Sequence, residues 1–294
     1  MNDATTPPEQ QIPDHVLRRL QRRRSPQTEA QPGTLSAMKT FICAAYAGGQ
    51  GKTTLAQMVF STLRKRDLKY KLVAADFTDG TGHSKIGKFF PTKVMELGIG
   101  SSLASSKTEN DANAPLRYWD RFGGLLLTGG AVLDLGANVV PQLVQWAHHR
   151  RVAYIMQQRS SPDIDLLIIT KPETHSIENV STLIEDVVVG GALPVASIAV
   201  VLNEVGGTFE GLDLSRIEKA GAGRNLRFID LPRCTSELWP HLERTFTPVE
   251  EALARTETEL AEKFGIEIWS AYAGLMDLRT WAEEVYDELA KAGI

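Results

Sequence analysis

Lys39-Thr-Phe-Ile-Cys-Ala-Ala-Tyr-Ala-Gly-Gly-Gln-Gly-Lys-Thr-Thr54 is the stretch on which the reading of this chain turns. Phe41, Ile42, Cys43, Ala44 and Ala45 make an apolar run of buried-strand length, and Gly48, Gly49 and Gly51 follow it. Glycines let a backbone curl until its N–H groups converge on one point, which is how a chain cradles an anion. Lys52 adds a positive charge, and Thr53 offers a hydroxyl of the kind that holds Mg²⁺ between phosphates. Leu55, Met58, Val59 and Leu63 then recur at helical spacing, so the positive end of a helix is expected to point into the same cradle. The residues expected to wrap a nucleotide's phosphates are Gly48, Gly49, Gln50, Gly51, Lys52, Thr53 and Thr54.

The ordinary P-loop pattern needs glycine at position 46, where this chain has Tyr46. What fits is Gly-Gly-x-Gly-Lys-Thr-Thr, which resembles the deviant Walker A motif of ParA/MinD-like ATPases of the SIMIBI class. That resemblance implies an α/β, three-layer P-loop NTPase fold with a mostly parallel central sheet between helices. It also implies ATP and Mg²⁺ as cofactors and a homodimer formed on ATP binding. The pattern usually carries a second lysine just before the glycine pair, which reaches across to the partner's phosphates; here Ala47 stands there. A methyl group cannot neutralise a phosphate, so weak basal ATPase activity is expected.

Further motifs recur in the family's order. Tyr70-Lys-Leu-Val-Ala-Ala-Asp76 predicts a second strand ending in a carboxylate, and ligands in such sheets sit beyond the strands' carboxyl ends. By resemblance, Asp76 or Asp79 takes the switch-I role. Gly130-Ala-Val-Leu-Asp-Leu-Gly-Ala-Asn138 is similar to a Walker B or switch-II segment, with Asp134 toward Mg²⁺ and the Gly136 amide toward a γ-phosphate. Ser197-Ile-Ala-Val-Val-Leu-Asn203 predicts a strand whose terminal Asn203 would read the adenine edge. Arg227-Phe-Ile-Asp-Leu-Pro-Arg233 resembles the segment that borders the base with Pro232. Lys52, Asp76 and Asp134 are thus the expected catalytic residues, and Thr53 and Asp134 the metal ligands. The segment from Val132 to Asn138 is also reminiscent of plasmid StbB- or TraL-type members.

Between these motifs, Asp165-Leu-Leu-Ile-Ile-Thr170 predicts another buried strand, with Ile177, Val180, Leu183 and Ile184 on one face of the helix after it. Val140, Leu143, Val144 and Ala147 mark a helix that closes on His148-His149-Arg150-Arg151, a basic end suited to the helix dipole. Residues 83 to 120 show weak periodicity and predict short helices joined by a mobile loop. Leu253, Leu260 and Phe264, then Trp281, Val285 and Leu289, predict C-terminal helices packed on the sheet or on a second subunit.

The 294 residues, 43% apolar, suit one large α/β domain over 38–294. Residues 1–37, rich in Pro, Gln, Thr and Arg, are expected to be a disordered tail. Its segment from Asp14 to Arg24 is either a basic arm for non-specific DNA or a cargo or adaptor protein, or a solvated charge run. Arg216, Lys219, Arg224, Arg227 and Arg233 pose the same choice. With 32 basic and 36 acidic residues, the whole molecule is not an obvious polyanion binder. Cys43 and Cys234 read as reduced thiols of a cytoplasmic protein. No apolar stretch approaches a membrane span, and Glu283, Glu284, Asp287 and Glu288 make the last helix unsuited to an acidic membrane.

Three functions are compatible with these residues. The first is an ATPase that dimerises on ATP and positions or partitions a cargo, such as plasmid DNA or a conjugation or secretion complex. The second is a nucleotide-gated binding module with little hydrolysis, and the third a small-molecule ligase or kinase, for which no separate acid–base constellation is present.

Overall fold

The computed structural model describes residues 38–76, 83–97 and 114–294. The tail over 1–37, Asp79 and the polar run from Gly100 to Asp111 lie outside the described residues.

Strand β1 (Thr40–Ala44) runs through the glycine loop into helix α1 (Lys52–Lys65). Next come β2 (Lys71–Ala75), α2 (Lys85–Phe89) and β3 (Val94–Glu96). Helix α3 (Ala114–Thr128) leads to β4 (Ala131–Leu135), followed by α4 (Val140–Arg150) and α5 (Val152–Gln158). Then β5 (Ile164–Thr170), α6 (Thr174–Ile184), β6 (Val195–Asn203), α7 (Ser215–Ala220) and β7 (Leu226–Leu231) alternate. Helices α8 (Trp239–Thr245), α9 (Val249–Leu253), α10 (Glu257–Phe264) and α11 (Ile268–Lys291) complete the chain.

The seven strands form one sheet in the order β3-β2-β4-β1-β5-β6-β7, and every pairing is parallel. Strands covered on both faces read as continuous apolar runs, because alternate side chains enter two different cores. Ile42 and Ala44 pack with Leu166, Ile168, Ile198 and Val200 and with α3, α4 and α6 on one face. Phe41, Cys43 and Ala45 pack with Leu167, Ile169, Ala199 and Val201 and with α1 and α11 on the other. The result is the α/β, three-layer arrangement expected for a P-loop NTPase. Leu55, Met58 and Val59 of α1 have no measurable exposure, and burying each is worth about 1.5–3 kcal/mol.

The C-terminal helices settle on the sheet: Leu260, Trp281, Val285 and Leu289 are buried in the α1-side core. The Trp281 indole donates to the Pro232 carbonyl at 2.8 Å, and Arg66 at the end of α1 donates to the Ile294 carbonyl at 2.6 Å. Over residues 83–97 and 114–120 the expected short helices are met by α2 alone, and the rest differs from the expectation. That rest includes β3, which exists through pairing with β2, and the start of α3, whose Trp119 and Phe122 rings pack against Trp146 of α4. The basic stretch divides among partners, with Arg216 on Glu178 of α6 at 3.0 Å and Arg227 on Asp165 of β5 at 3.5 Å. Cys43 and Cys234 are both free thiols, and burial pushes the Cys43 thiol well up from its ordinary range. Among the described residues, no helix is long and apolar enough to cross a membrane.

Candidate nucleotide site

The sheet's strand order places β1 between β4 and β5, so the loop at its carboxyl end is bordered by residues from both sides. A crevice where connections diverge in this way is where open α/β sheets take ligands. Gly49 has φ +69° and Gly51 φ +101°, a left-handed backbone that other L-residues adopt only with strain. Gly48 and Gly49 are exposed, with open space where a side chain would be. A Cβ on Gly51 would instead stand 2.6 Å from Asn203 Nδ2.

Helix α1 opens at Gly51 with no side-chain cap and no acidic residue in its first turn. Its N–H groups and partial positive charge are therefore uncompensated by any side chain, as an anion-binding helix end requires. Lys52 arches back over the loop with Nζ 3.4 Å from the Ala47 carbonyl. Burial draws its pKa below the ordinary lysine value, against the pull of Asp134 and Asp76, and Lys85 adds to the lowering. Thr54 follows on the same first turn.

Asp134 and Thr53 meet as the sequence implied: Thr53 Oγ1 donates to Asp134 Oδ2 at 2.9 Å. Asp134 is buried, and its second oxygen, Oδ1, has no hydrogen-bond partner. A buried carboxylate oxygen left without a donor calls for an explanation, and a hard cation beside a threonine hydroxyl provides one. The donor set therefore fits Mg²⁺. Burial pushes the Asp134 pKa up to about 6, while the Thr53 hydrogen bond and Lys52 hold it back.

Asp76 lies at the end of β2 and acts electrostatically on both Lys52 and Asp134. Its Oδ1 occupies the place a Cβ on Gly136 would take, which is why glycine follows the Walker B-like strand here. The Gly136 amide corrects an expectation: it donates to the Ala75 carbonyl at 2.9 Å, continuing the β2–β4 pairing, and is not turned to a γ-phosphate. Gly136→Ala should push the Asp76 carboxylate aside, cost about 1–3 kcal/mol through overpacking, and lower turnover while ATP still binds. Calorimetry and a phosphate-release assay check this, and full activity with a displaced Asp76 would remove that residue from the mechanism.

Two other expected ligand residues turn out to brace the loop. Gln50 is buried, its Nε2 donating to Ser176 Oγ at 3.1 Å and its Oε1 accepting from the Lys171 amide at 2.9 Å. Any part it takes in holding phosphate is thus confined to its backbone, a correction with a simple cause: the side chain faces α6. Asn203 Nδ2 donates to the Gln50 carbonyl at 2.7 Å, and its Oδ1 accepts from the Val205 amide at 3.2 Å. One amide hydrogen remains for the base-reading role. Pro232 sits just past β7 with its carbonyl taken by Trp281.

Tyr46, Tyr118 and Lys85 were not singled out for the site by the sequence. Tyr46, in place of the ordinary first glycine, hydrogen-bonds Asp186 in the π-helical turn Glu185–Val189 that ends α6. The Tyr118 hydroxyl is buried without a partner, and burial, then Asp76 and Glu96, raise its pKa. Tyr46 is marked in the sequence only as a departure from the P-loop pattern, whereas Tyr118 and Lys85 carry no sequence signal, because each comes near the site from an element whose place the sheet order decides.

No protein-family model matches this sequence, and no curated protein is significantly similar to it. Several solved structures align with it at low identity. A ParA family ATPase from Chlorobium tepidum TLS aligns with TM-score 0.44 and 16% identity over 85% of this chain and 97% of that one. The MinD cell division protein of Aquifex aeolicus aligns with TM-score 0.42 and 15% identity over 82% and 96%. A plasmid partition protein from Borrelia burgdorferi gives 0.39 and 13% over 72% and 97%.

Proposed function

We propose that this chain is a ParA/MinD-like ATPase that binds ATP with Mg²⁺, dimerises in that state, and positions or partitions a cargo. The observation that carries the reading is the Thr53–Asp134 contact with its unpartnered carboxylate oxygen, set beside Lys52 at the start of α1. A nucleotide's phosphates would take the glycine loop's N–H groups and Lys52, and Asn203 and Pro232 would border the base. Thr53 and Asp134 would hold Mg²⁺, which when bound neutralises phosphate charge.

In the reaction a water oxygen bonds to the γ-phosphorus, the bond from that phosphorus to the bridging oxygen breaks, and ADP and inorganic phosphate leave. Asp76, whose charge acts on both Lys52 and Asp134, would be the carboxylate that orients that water, a role for which the sequence also offers Asp79. Binding and release of a cargo then follow the nucleotide state.

Light scattering on the purified chain tests the dimer. With Mg²⁺ and a slowly hydrolysed ATP analogue the mass should double, and with ADP it should return to that of a monomer. A mass that stays monomeric at saturating analogue would remove the association step from the proposal.

A further inference from the structure

A triphosphate brings several negative charges into a site that already holds two carboxylates, Asp76 and Asp134, and the ammonium of Lys52 together with a bound Mg²⁺ would not balance them. Ala47 contributes no charge. Charge that spreads over the phosphoryl oxygens during transfer is stabilised by cations fixed around it, so another cation has work to do here.

Lys85 is placed for it. It is the first residue of α2, whose N-cap Ser84 accepts from the Gly87 amide at 3.1 Å. Glu96 of β3 fixes Ser84 in turn, accepting from its amide at 3.0 Å and its hydroxyl at 2.8 Å. The same Glu96 oxygen fills the space a Cβ on Gly87 would need. Below, Ile86, Phe89 and Phe90 are buried, with Phe90 edge-on to Phe60 of α1 and Phe89 edge-on to Phe246. The backbone that carries Lys85 is therefore anchored to β3, to α1 and to the C-terminal helices.

Its side chain, by contrast, is half exposed. The ammonium rests 3.5 Å from Glu243 Oε1, itself 42% exposed, a pairing loose enough to yield to a stronger anion. Glu96 ends β3 in register with Ala74, two residues before Asp76, so the bonds from Ser84 set Lys85 at the carboxyl edge of the sheet, the edge at which the glycine loop leaves β1, and its charge acts on both Lys52 and Asp134.

We propose that Lys85 is a further phosphate-facing cation of this site, swinging from Glu243 to the nucleotide and supplying from within the same chain the positive charge that Ala47 lacks. The inference rests on the ATPase reading above. It makes stabilisation of the transferring phosphoryl group independent of a lysine delivered by a partner subunit.

The experiment is single-turnover decay of bound γ-labelled ATP, with ATP affinity and melting temperature measured on the same proteins. Lys85→Met keeps the aliphatic stem and removes the charge. It should slow hydrolysis about 100-fold, with ATP affinity within a few-fold of wild type and an unchanged melting temperature. Lys85→Arg should restore most of the rate, which a packing role would not explain. Hydrolysis by Lys85→Met within twofold of wild type, while Lys52→Ala is dead, would overturn the role of Lys85 and leave the ATPase reading standing. Failure of the wild-type chain to bind ATP would overturn that reading itself, and with it this one. Wild-type protein that binds ATP and never cleaves it would overturn both the hydrolysis step of that reading and the role of Lys85, leaving nucleotide binding in place.

Discussion

Lys52→Ala should erase the ATP-dependent rise in melting temperature and reduce turnover by about 10³-fold or more. A ligand that binds only the folded state stabilises it by about 2.7 kcal/mol when present at 100 times its dissociation constant. For a domain of this size, each 1 kcal/mol moves the midpoint by about 2–4 °C. The wild-type chain should therefore gain about 5–10 °C with Mg²⁺ and ATP. The variant should gain nothing, because the Lys52 ammonium lies over the loop at the Ala47 carbonyl, where phosphates would sit. Its loss also leaves Asp76 and Asp134 facing one another without the nearest cation. Differential scanning fluorimetry with and without nucleotide decides it. A variant that keeps the full ATP-dependent shift would show that the glycine loop is not the nucleotide site.

Asp134→Asn should separate stability from function in the opposite sense. Burial raises the Asp134 carboxyl to about 6 in the folded chain, from an ordinary value of 3.8. Between those two values the folded state holds more protons than the unfolded one, so stability falls as pH rises through the window, and the cost persists above it. A shift of that size corresponds to something on the order of 3 kcal/mol. A neutral asparagine avoids the cost but leaves an amide without a partner where Oδ1 now stands, which returns about 1–3 kcal/mol. At pH 8 and without nucleotide, the variant should be more stable than wild type by up to about 2 kcal/mol. That advantage should be gone by about pH 3, where the wild-type carboxyl is protonated in both states. Hydrolysis should be lost at every pH, since an amide oxygen is a poor substitute for a carboxylate on Mg²⁺. Chemical denaturation at the two pH values measures the crossover, and a variant less stable than wild type at pH 8 would show that burial is not the governing cost.

These sites differ in how far the chain announced them. Gly48 to Thr54 were legible because an anion cradle needs residues adjacent in sequence: glycines for the curl, a lysine, a hydroxyl and the start of a helix. The strands β1, β2 and β4 to β6 were legible because they are buried on both faces and so read as largely apolar runs, whereas the edge strand β7, half-buried and carrying Arg227 and Asp230, was read by resemblance. Strand β3 gave no such signal. Val94, Met95 and Glu96 are a strand only because β2 offers them an edge. Helix α3 does carry its own pattern, with Tyr118, Trp119, Phe122, Leu125 and Leu126 buried at helical spacing, and a window ending at residue 120 cuts that pattern short.

The amides divide along the same line. That Gln50 and Asn203 are candidates for the site could be read from their places beside the glycines and at a strand's end. Which way they point could not, because each amide bonds to residues more than a hundred positions away, Ser176 and Lys171 for Gln50 and Gln50 for Asn203.

What the sequence determined by itself was the local chemistry: a cradle after β1, an acid after β2, an acid in β4, an asparagine after β6. Each depends on residue type and on neighbours a few positions away. What only the tertiary structure decided was which of these share one space. By inserting β4 between β2 and β1, the sheet order puts Asp134 beside Thr53 and brings Asp76 and Lys85 within electrostatic reach of Lys52. Coulomb forces and hydrogen bonds act through distance in space, and no spacing along the chain records it.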